Sequence, residues 1–165
     1  VSVGDIYDIA TYQPKKSVGA LLSRVRVEML AALDKDLAGD QQLAALELSA
    51  AQLIIIANLA GAEEPLSASD LCKHISYDAG AMTRMLDRLE HKGLIRRNRS
   101  AQDRRLMHLE LTDEGRAAYP RMREISMAVA NRFLQGFSKA EARQLEGLLA
   151  RMLENALGLA PRVSA

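Results

Sequence analysis

The sequence predicts a mainly α fold with a small β element, and three observations carry that prediction. Apolar residues recur at helical spacing over most of the chain, as in Val18, Leu21, Leu22, Val25, Met29 and Leu33. Six aromatic residues and four prolines in 165 residues, set in a Leu- and Ala-rich body, suit helices better than a β-sandwich. Strict period-two alternation is confined to one stretch, where Met107, Leu109 and Leu111 alternate with His108 and Glu110.

Val1 to Lys16 lacks periodicity, closes on Pro14-Lys15-Lys16 and reads as an arm. Ser17 precedes the first helix, which the stripe carries to about Leu37 and Gly39-Asp40 ends; it would be roughly 30 Å long. Ser49-Ala50-Ala51-Gln52 has the capping-box spacing, the serine serving the N3 amide and the glutamine reaching back. It opens a helix through Leu53, Ile54 and Ile56 that stops at Gly61. Pro65 marks a loop, and Ser67 caps a short helix through Leu71 and Ile75. Asp78 caps the next, which aligns Met82, Met85, Leu86 and Leu89 and ends at Gly93. Leu94–Arg99 and Arg105–Leu111 then flank a polar tip as a hairpin would. Thr112 caps a long helix with Asp113 and Glu114 in its first turn, where the helix dipole favours anions. Pro120 falls too late to be a first-turn proline, which predicts a kink. Ser138-Lys139-Ala140-Glu141 is a second capping box, opening a final helix with Leu145, Leu148, Leu149, Met152 and Leu153.

Composition narrows the function. Twenty-two Lys+Arg against 21 Asp+Glu leave a formal net charge of +1, which argues against a uniformly polybasic chain or an acidic tail. One cysteine, Cys72, makes no intrachain disulfide, and no Cys/His cluster has zinc-ligand spacing. His74, His91 and His108 fall on three different elements, so no metal is expected. No apolar run approaches ~18 residues, and the expectation is a soluble, cytoplasmic chain with no membrane partner.

Two short helices joined by a tight turn and followed by a hairpin make a winged helix-turn-helix, whose second helix enters a major groove. Opposite the apolar face of that helix lie Ala79, Gly80, Thr83, Arg84, Asp87, Arg88, His91 and Lys92. Small residues there admit close approach to base edges, which Thr83 and Arg84 reach. From Arg84 to Arg105 eight basic residues face three acidic ones, a local net charge of +5 that leaves −4 for the rest. A solvated charged face is the plain alternative; placement on a helix–hairpin unit favours nucleic acid.

The recognition-helix run Asp78-Ala79-Gly80-Ala81-Met82-Thr83-Arg84-Met85-Leu86-Asp87-Arg88-Leu89-Glu90, with Lys92-Gly93-Leu94, resembles the MarR family of transcription regulators. So does the wing pattern, Asp103-Arg104-Arg105 followed by Leu109-Glu110-Leu111-Thr112-Asp113-Glu114-Gly115. The resemblance spans nearly the whole chain and implies one MarR-type domain. Its parts would be an N-terminal arm and dimerisation helix at 1–38, the winged helix-turn-helix at 49–115 and C-terminal dimerisation helices at 116–160. It further implies a homodimer on a pseudo-palindromic double-stranded DNA operator, released by a small ligand and needing no cofactor. Arg105 would enter the minor groove, Asp103 would shape the wing tip, and major-groove contacts would fall on Thr83, Arg84 and their exposed neighbours. Relatives often carry hydroxyl or basic residues where this chain has Ala79, Gly80 and Ala81.

Tyr12-x-Pro14 and Ser17-Val18-Gly19, leading into Arg24 and Arg26, resemble the aromatic-acid-responsive members. The effector would then be an aromatic carboxylate or phenol, with Arg24 or Arg26 supplying a planar fork for its carboxylate. Leu21, Val25 and Met85 would wall the site, and Tyr7 and Tyr12 would line it or pack the arm on a partner. Solvent-facing or ion-paired arginines are the plain alternative. Cys72 reads first as a small buried hydrophobe, with a redox switch as the functional alternative. No Ser-His-Asp spacing, phosphate loop or dinucleotide fingerprint marks an enzyme. A winged helix serving only protein–protein contacts is the other competitor, and an activator is not distinguishable from a repressor by sequence.

Overall fold

A computed structural model describes residues 5–75, 77–99 and 107–158. In chain order it has α1 (Val18–Gly39), α2 (Ala50–Gly61), β1 (Leu66–Ser67), α3 (Ala68–Ile75), α4 (Ala79–His91), β2 (Ile95–Arg99), β3 (Met107–Leu111), α5 (Asp113–Phe133) and α6 (Lys139–Ala156). The 3₁₀ turns Pro14–Lys16 and Ala44–Leu46 precede α1 and α2. The chain divides into two compact units, one over Arg26–Ala130 and one combining Val1–Val25 with Asn131–Ala165.

The Arg26–Ala130 unit holds the hydrophobic core. Met82, Leu86 and Leu89 of α4 are buried with Leu71 of α3 and Leu53, Ile55 and Ile56 of α2. Met122, Ile125 and Val129 of α5 join the same cluster, as do Leu33 and Leu37 of α1. Each such side chain contributes roughly 1.5–3 kcal/mol over its exposed state. Ser49 Oγ accepts from the Gln52 N–H and Gln52 Oε1 accepts from the Ser49 N–H, so the expected capping box forms at α2. Asp34 Oδ1 accepts the Ala50 N–H at 2.6 Å, tying α1 to the same helix start.

The sheet has three antiparallel strands in the order β1-β3-β2, where the sequence predicted a two-stranded hairpin. Leu66 and Ser67 pair with Leu109 and His108. Two residues are too short to show alternation, so β1 left no periodic signal. Ser67 also caps α3 as expected, its hydroxyl accepting the Asp70 N–H while Asp70 Oδ2 accepts from Ser67. Among the described residues β3 begins at Met107; the rest of the expected second strand and the wing tip lie outside them. Arg96 sits opposite Glu110 and Asn98 opposite His108.

Gly93, at φ +70°, ends α4, with the Leu94 N–H donating to Leu89 and the Gly93 N–H to Glu90. This is a Schellman closure, and it needs a residue without Cβ. Thr112 joins sheet to helix: its N–H donates to the Leu94 carbonyl and its Oγ1 to that of Gly93. The same Oγ1 accepts the Gly115 N–H at 3.1 Å, capping α5. Helix α5 runs on through Pro120, which lacks the N–H that the Arg116 carbonyl would otherwise accept.

The Ala44–Leu46 turn carried no sequence signal, and it ends in Glu47 at φ +45°. Lys92 Nζ donates to the carbonyls of Leu46 and Glu47, which holds this turn against α4. In the other unit the arm is more organised than its lack of periodicity suggested. Tyr7 Oη accepts the Val18 N–H at 3.0 Å, and Ser17 Oγ accepts that of Ala20, so both serve the start of α1.

Candidate nucleic-acid interface

Helix α4 has one buried and one open face. Its start is fixed by Asp78 Oδ1, which accepts the Ala81 N–H at 2.8 Å. With Met82, Leu86 and Leu89 turned into the core, Ala79, Gly80, Thr83, Arg84, Asp87 and Arg88 are left exposed. The α4 side chains expected to meet DNA therefore share one solvent-facing surface.

Their geometry is specific. Thr83 Oγ1 donates to the Ala79 carbonyl at 2.8 Å, leaving its oxygen lone pairs outward as acceptors. The guanidinium of Arg84 lies back over Gly80: a Cβ built on Gly80 would sit 3.5 Å from Arg84 Nη1 and 3.2 Å from Asp78 Oδ1. The missing side chain makes room for Arg84 as well as for an approaching ligand. Arg84, Arg88 and Arg99 form no ion pair among the described residues.

Part of the positive charge counted in the +5 segment is engaged within the fold. Arg97 donates through Nη2 to Asp87 Oδ1 at 2.6 Å and through Nη1 to Glu90 Oε2. The Asp87 hydrogen bond and the charge of Glu90 raise the Arg97 pKa further against its partial burial. Arg96 donates to Glu110 Oε2 through Nε and Nη2, and Asn98 donates to the same oxygen at 2.8 Å. Chiefly the Arg96 hydrogen bonds, then that of Asn98, hold the Glu110 carboxyl below its usual range. Arg96 and Arg97 therefore brace the sheet and α4, and Lys92 braces the Ala44–Leu46 turn. The Arg96–Glu110 pair was legible in principle, since a hairpin register sets those positions opposite each other.

Asp103 and Arg105, the expected wing residues, lie outside the described residues. The candidate effector residues are divided between the two units. Tyr12, Ser17 and Arg24 fall in the unit made from the chain ends, and Arg26 and Met85 in the other. Tyr12 packs edge-on against Tyr7 with ring centroids 5.2 Å apart. Ser17 is buried and engaged at the start of α1. Arg24 and Arg26 are exposed, and Met85 packs half-buried against the core. Cys72 is likewise half-buried against it. Among the described residues no three His, Cys, Asp or Glu side chains converge on a metal position. No described helix is long and apolar enough to cross a membrane.

Helix α3, the exposed α4 and the adjoining antiparallel strands define a winged helix-turn-helix of the DNA-binding class. Residues 48–107 match the model of the MarR family. The chain is 29% identical over 140 residues to the HTH-type transcriptional repressor MdtR of Bacillus subtilis (strain 168), covering 85% of this chain and 83% of that protein. It is 35% identical over 108 residues to the uncharacterized HTH-type transcriptional regulator YdgJ of the same organism, covering 66% and 65%. A crystal structure of a mutant MarR from E. coli, complexed with operator DNA, superposes with a TM-score of 0.70 at 28% identity, over 82% of this chain and 93% of that one. Residues 48–107 are thus a MarR-family domain, and the relatives that match beyond them are named as transcriptional regulators. The family and these relatives are regulators rather than enzymes, in line with the lack of catalytic motifs.

Proposed function

We propose that the protein is a homodimeric repressor that reads a pseudo-palindromic operator with α4 and the wing, and leaves it on binding an aromatic carboxylate or phenol. The observation that carries the DNA reading is the exposed face of α4, where Thr83, Arg84 and Arg88 stand beside Ala79 and Gly80. Arg84 suits the paired acceptors of a guanine edge, and the outward lone pairs of Thr83 suit a base amino group. Arg88 would meet phosphate, and the family resemblance assigns Arg105 to the minor groove and Asp103 to the shape of the wing tip. The named repressor among the relatives supports the regulatory sign.

Operator fragments selected from genomic DNA and titrated by fluorescence anisotropy test this. Arg84→Ala and Arg105→Ala should each cost roughly 1–3 kcal/mol and relax specificity, with the fold intact. Arg88→Ala should weaken all sequences evenly and lower the salt slope by about one. An Arg84→Ala variant that bound the operator as tightly as the parent would overturn the assignment.

For the effector, an anionic ring needs a fixed cation, and Arg24 and Arg26 are exposed without an ion-pair partner among the described residues. Calorimetric titration with benzoates, hydroxybenzoates and cinnamates should show binding that Arg24→Ala or Arg26→Ala removes. No binding at millimolar concentration, or binding indifferent to both substitutions, rejects this effector class.

A further inference from the structure

The Arg26–Ala130 unit carries a cleft of about 420 Å³ where the end of α2 and the following loop meet β1, β3 and the start of α5. That volume lies within the range of small-molecule sites. Its apolar wall includes Leu59, Leu66, Leu109 and Leu111, and the half-buried ring of Tyr119 lines it. Glu63, Glu64, Glu110 and Arg116 also line it. Arg116 Nη2 donates to Asp113 Oδ1 at 3.3 Å, so its charge already has an acidic neighbour. Glu63 and Glu64 are exposed and have no ion-pair partner among the described residues. Apolar walls, an aromatic ring and uncompensated carboxylates are together the chemistry that holds an organic cation.

We infer that this cleft binds a small organic cation with an apolar body, Glu63 and Glu64 meeting its charge and Tyr119 its flank. Neither Arg24 nor Arg26 is among its lining residues, and it selects the opposite charge. It also adjoins the wing. Glu110 lines the cleft from β3 and accepts hydrogen bonds from both Arg96 and Asn98 of β2. A cation near Glu110 competes for that carboxylate and loosens its hold on the strand that leads to the wing. This consequence, unlike the binding itself, rests on the proposed DNA function.

Tetraphenylphosphonium is the probe, titrated calorimetrically into the full chain without DNA, with benzoate as the anionic control. The expected result is micromolar-to-millimolar binding, weakened at least tenfold in a Glu63→Gln/Glu64→Gln double variant and also weakened in Tyr119→Leu. Both glutamates are on the surface, and a melting curve matching the parent's checks that the double variant folds. No binding of the cation at millimolar concentration, binding unchanged in the double variant, or preferential binding of benzoate abolished by Arg116→Ala would each overturn the inference. A second titration adds the cation to the operator complex at constant ionic strength. Release from the parent but not from the double variant supports coupling to the wing. Cation binding without release keeps the cleft and overturns the coupling, whereas loss of operator binding in Arg84→Ala is read independently and concerns the DNA proposal alone.

Discussion

At the scale of single residues, the junction of sheet and α5 is set by what is missing at Gly115. A Cβ there would lie 2.1 Å from the Leu94 carbonyl oxygen, which itself accepts the Thr112 N–H. Backbone cannot swing aside as a flexible side chain does, so a Gly115→Ala variant must separate α5 from the end of α4. It should lose roughly 1–3 kcal/mol, read as a lower denaturation midpoint; an unchanged midpoint would show that the junction relaxes freely. Gly80 is the opposite case, because its nearest neighbours are the ends of two side chains, Asp78 and Arg84. Gly80→Ala should leave the melting curve in place and change operator affinity by moving Arg84. Anisotropy and a thermal melt on the same sample separate the two roles. The sequence motif contained both glycines, but spacing does not show which meets backbone and which meets a movable guanidinium.

At the scale of elements, caps were legible and short pairings were not. Ser49-x-x-Gln52 and Ser138-x-x-Glu141 name their own hydrogen bonds, and both boxes form. Leu66–Ser67 and Ala44–Leu46 are too short for any pattern to repeat, so periodicity does not reveal them. Charge count likewise read the amount of basic surface but not its direction, which the Arg97 contacts to Asp87 and Glu90 reveal. The carboxylates that link elements make an acid prediction. Hydrogen bonding lowers the carboxyl pKa of Asp40 through Arg121, of Asp70 through Ser67 and of Glu110 through Arg96. The unfolded groups titrate near 3.9–4.3, so in the window below that the unfolded chain binds more protons and stability rises with pH. The contribution is complete above about pH 5 and is lost as pH falls through the lowered folded values. Asp40→Asn, which leaves Arg121 with Glu124, should therefore narrow the gap between denaturation midpoints at neutral and acid pH. A gap equal to the parent's would show that the Asp40–Arg121 link does not contribute to acid unfolding.

At the scale of the whole molecule, burial is unevenly divided. Every residue of the hydrophobic core lies between Leu33 and Val129, inside one unit. In the unit of the chain ends, Val18, Leu21, Leu22 and Val25 of α1 are exposed, as are Leu145, Leu148, Met152 and Leu153 of α6. Helix α6 has no buried residue at all, although its box is formed and its apolar positions fall on one stripe. A helix with an apolar stripe gains its stability from covering that stripe, and propensity alone sustains it poorly in water. A second copy of the chain would provide the cover that the proposed function requires, since a two-fold axis would also set two α4 helices about 34 Å apart, one turn of DNA. The prediction is a dimer of 18.1 kDa chains at micromolar concentration, measured by light scattering. Placing aspartates at Leu148 and Met152 should yield a monomer or an unfolded α6, distinguished by circular dichroism, and should weaken operator binding more than any single substitution on α4, because half-sites would then be engaged one at a time. A stable, fully helical monomer in the parent would remove the two-fold and with it the palindromic operator.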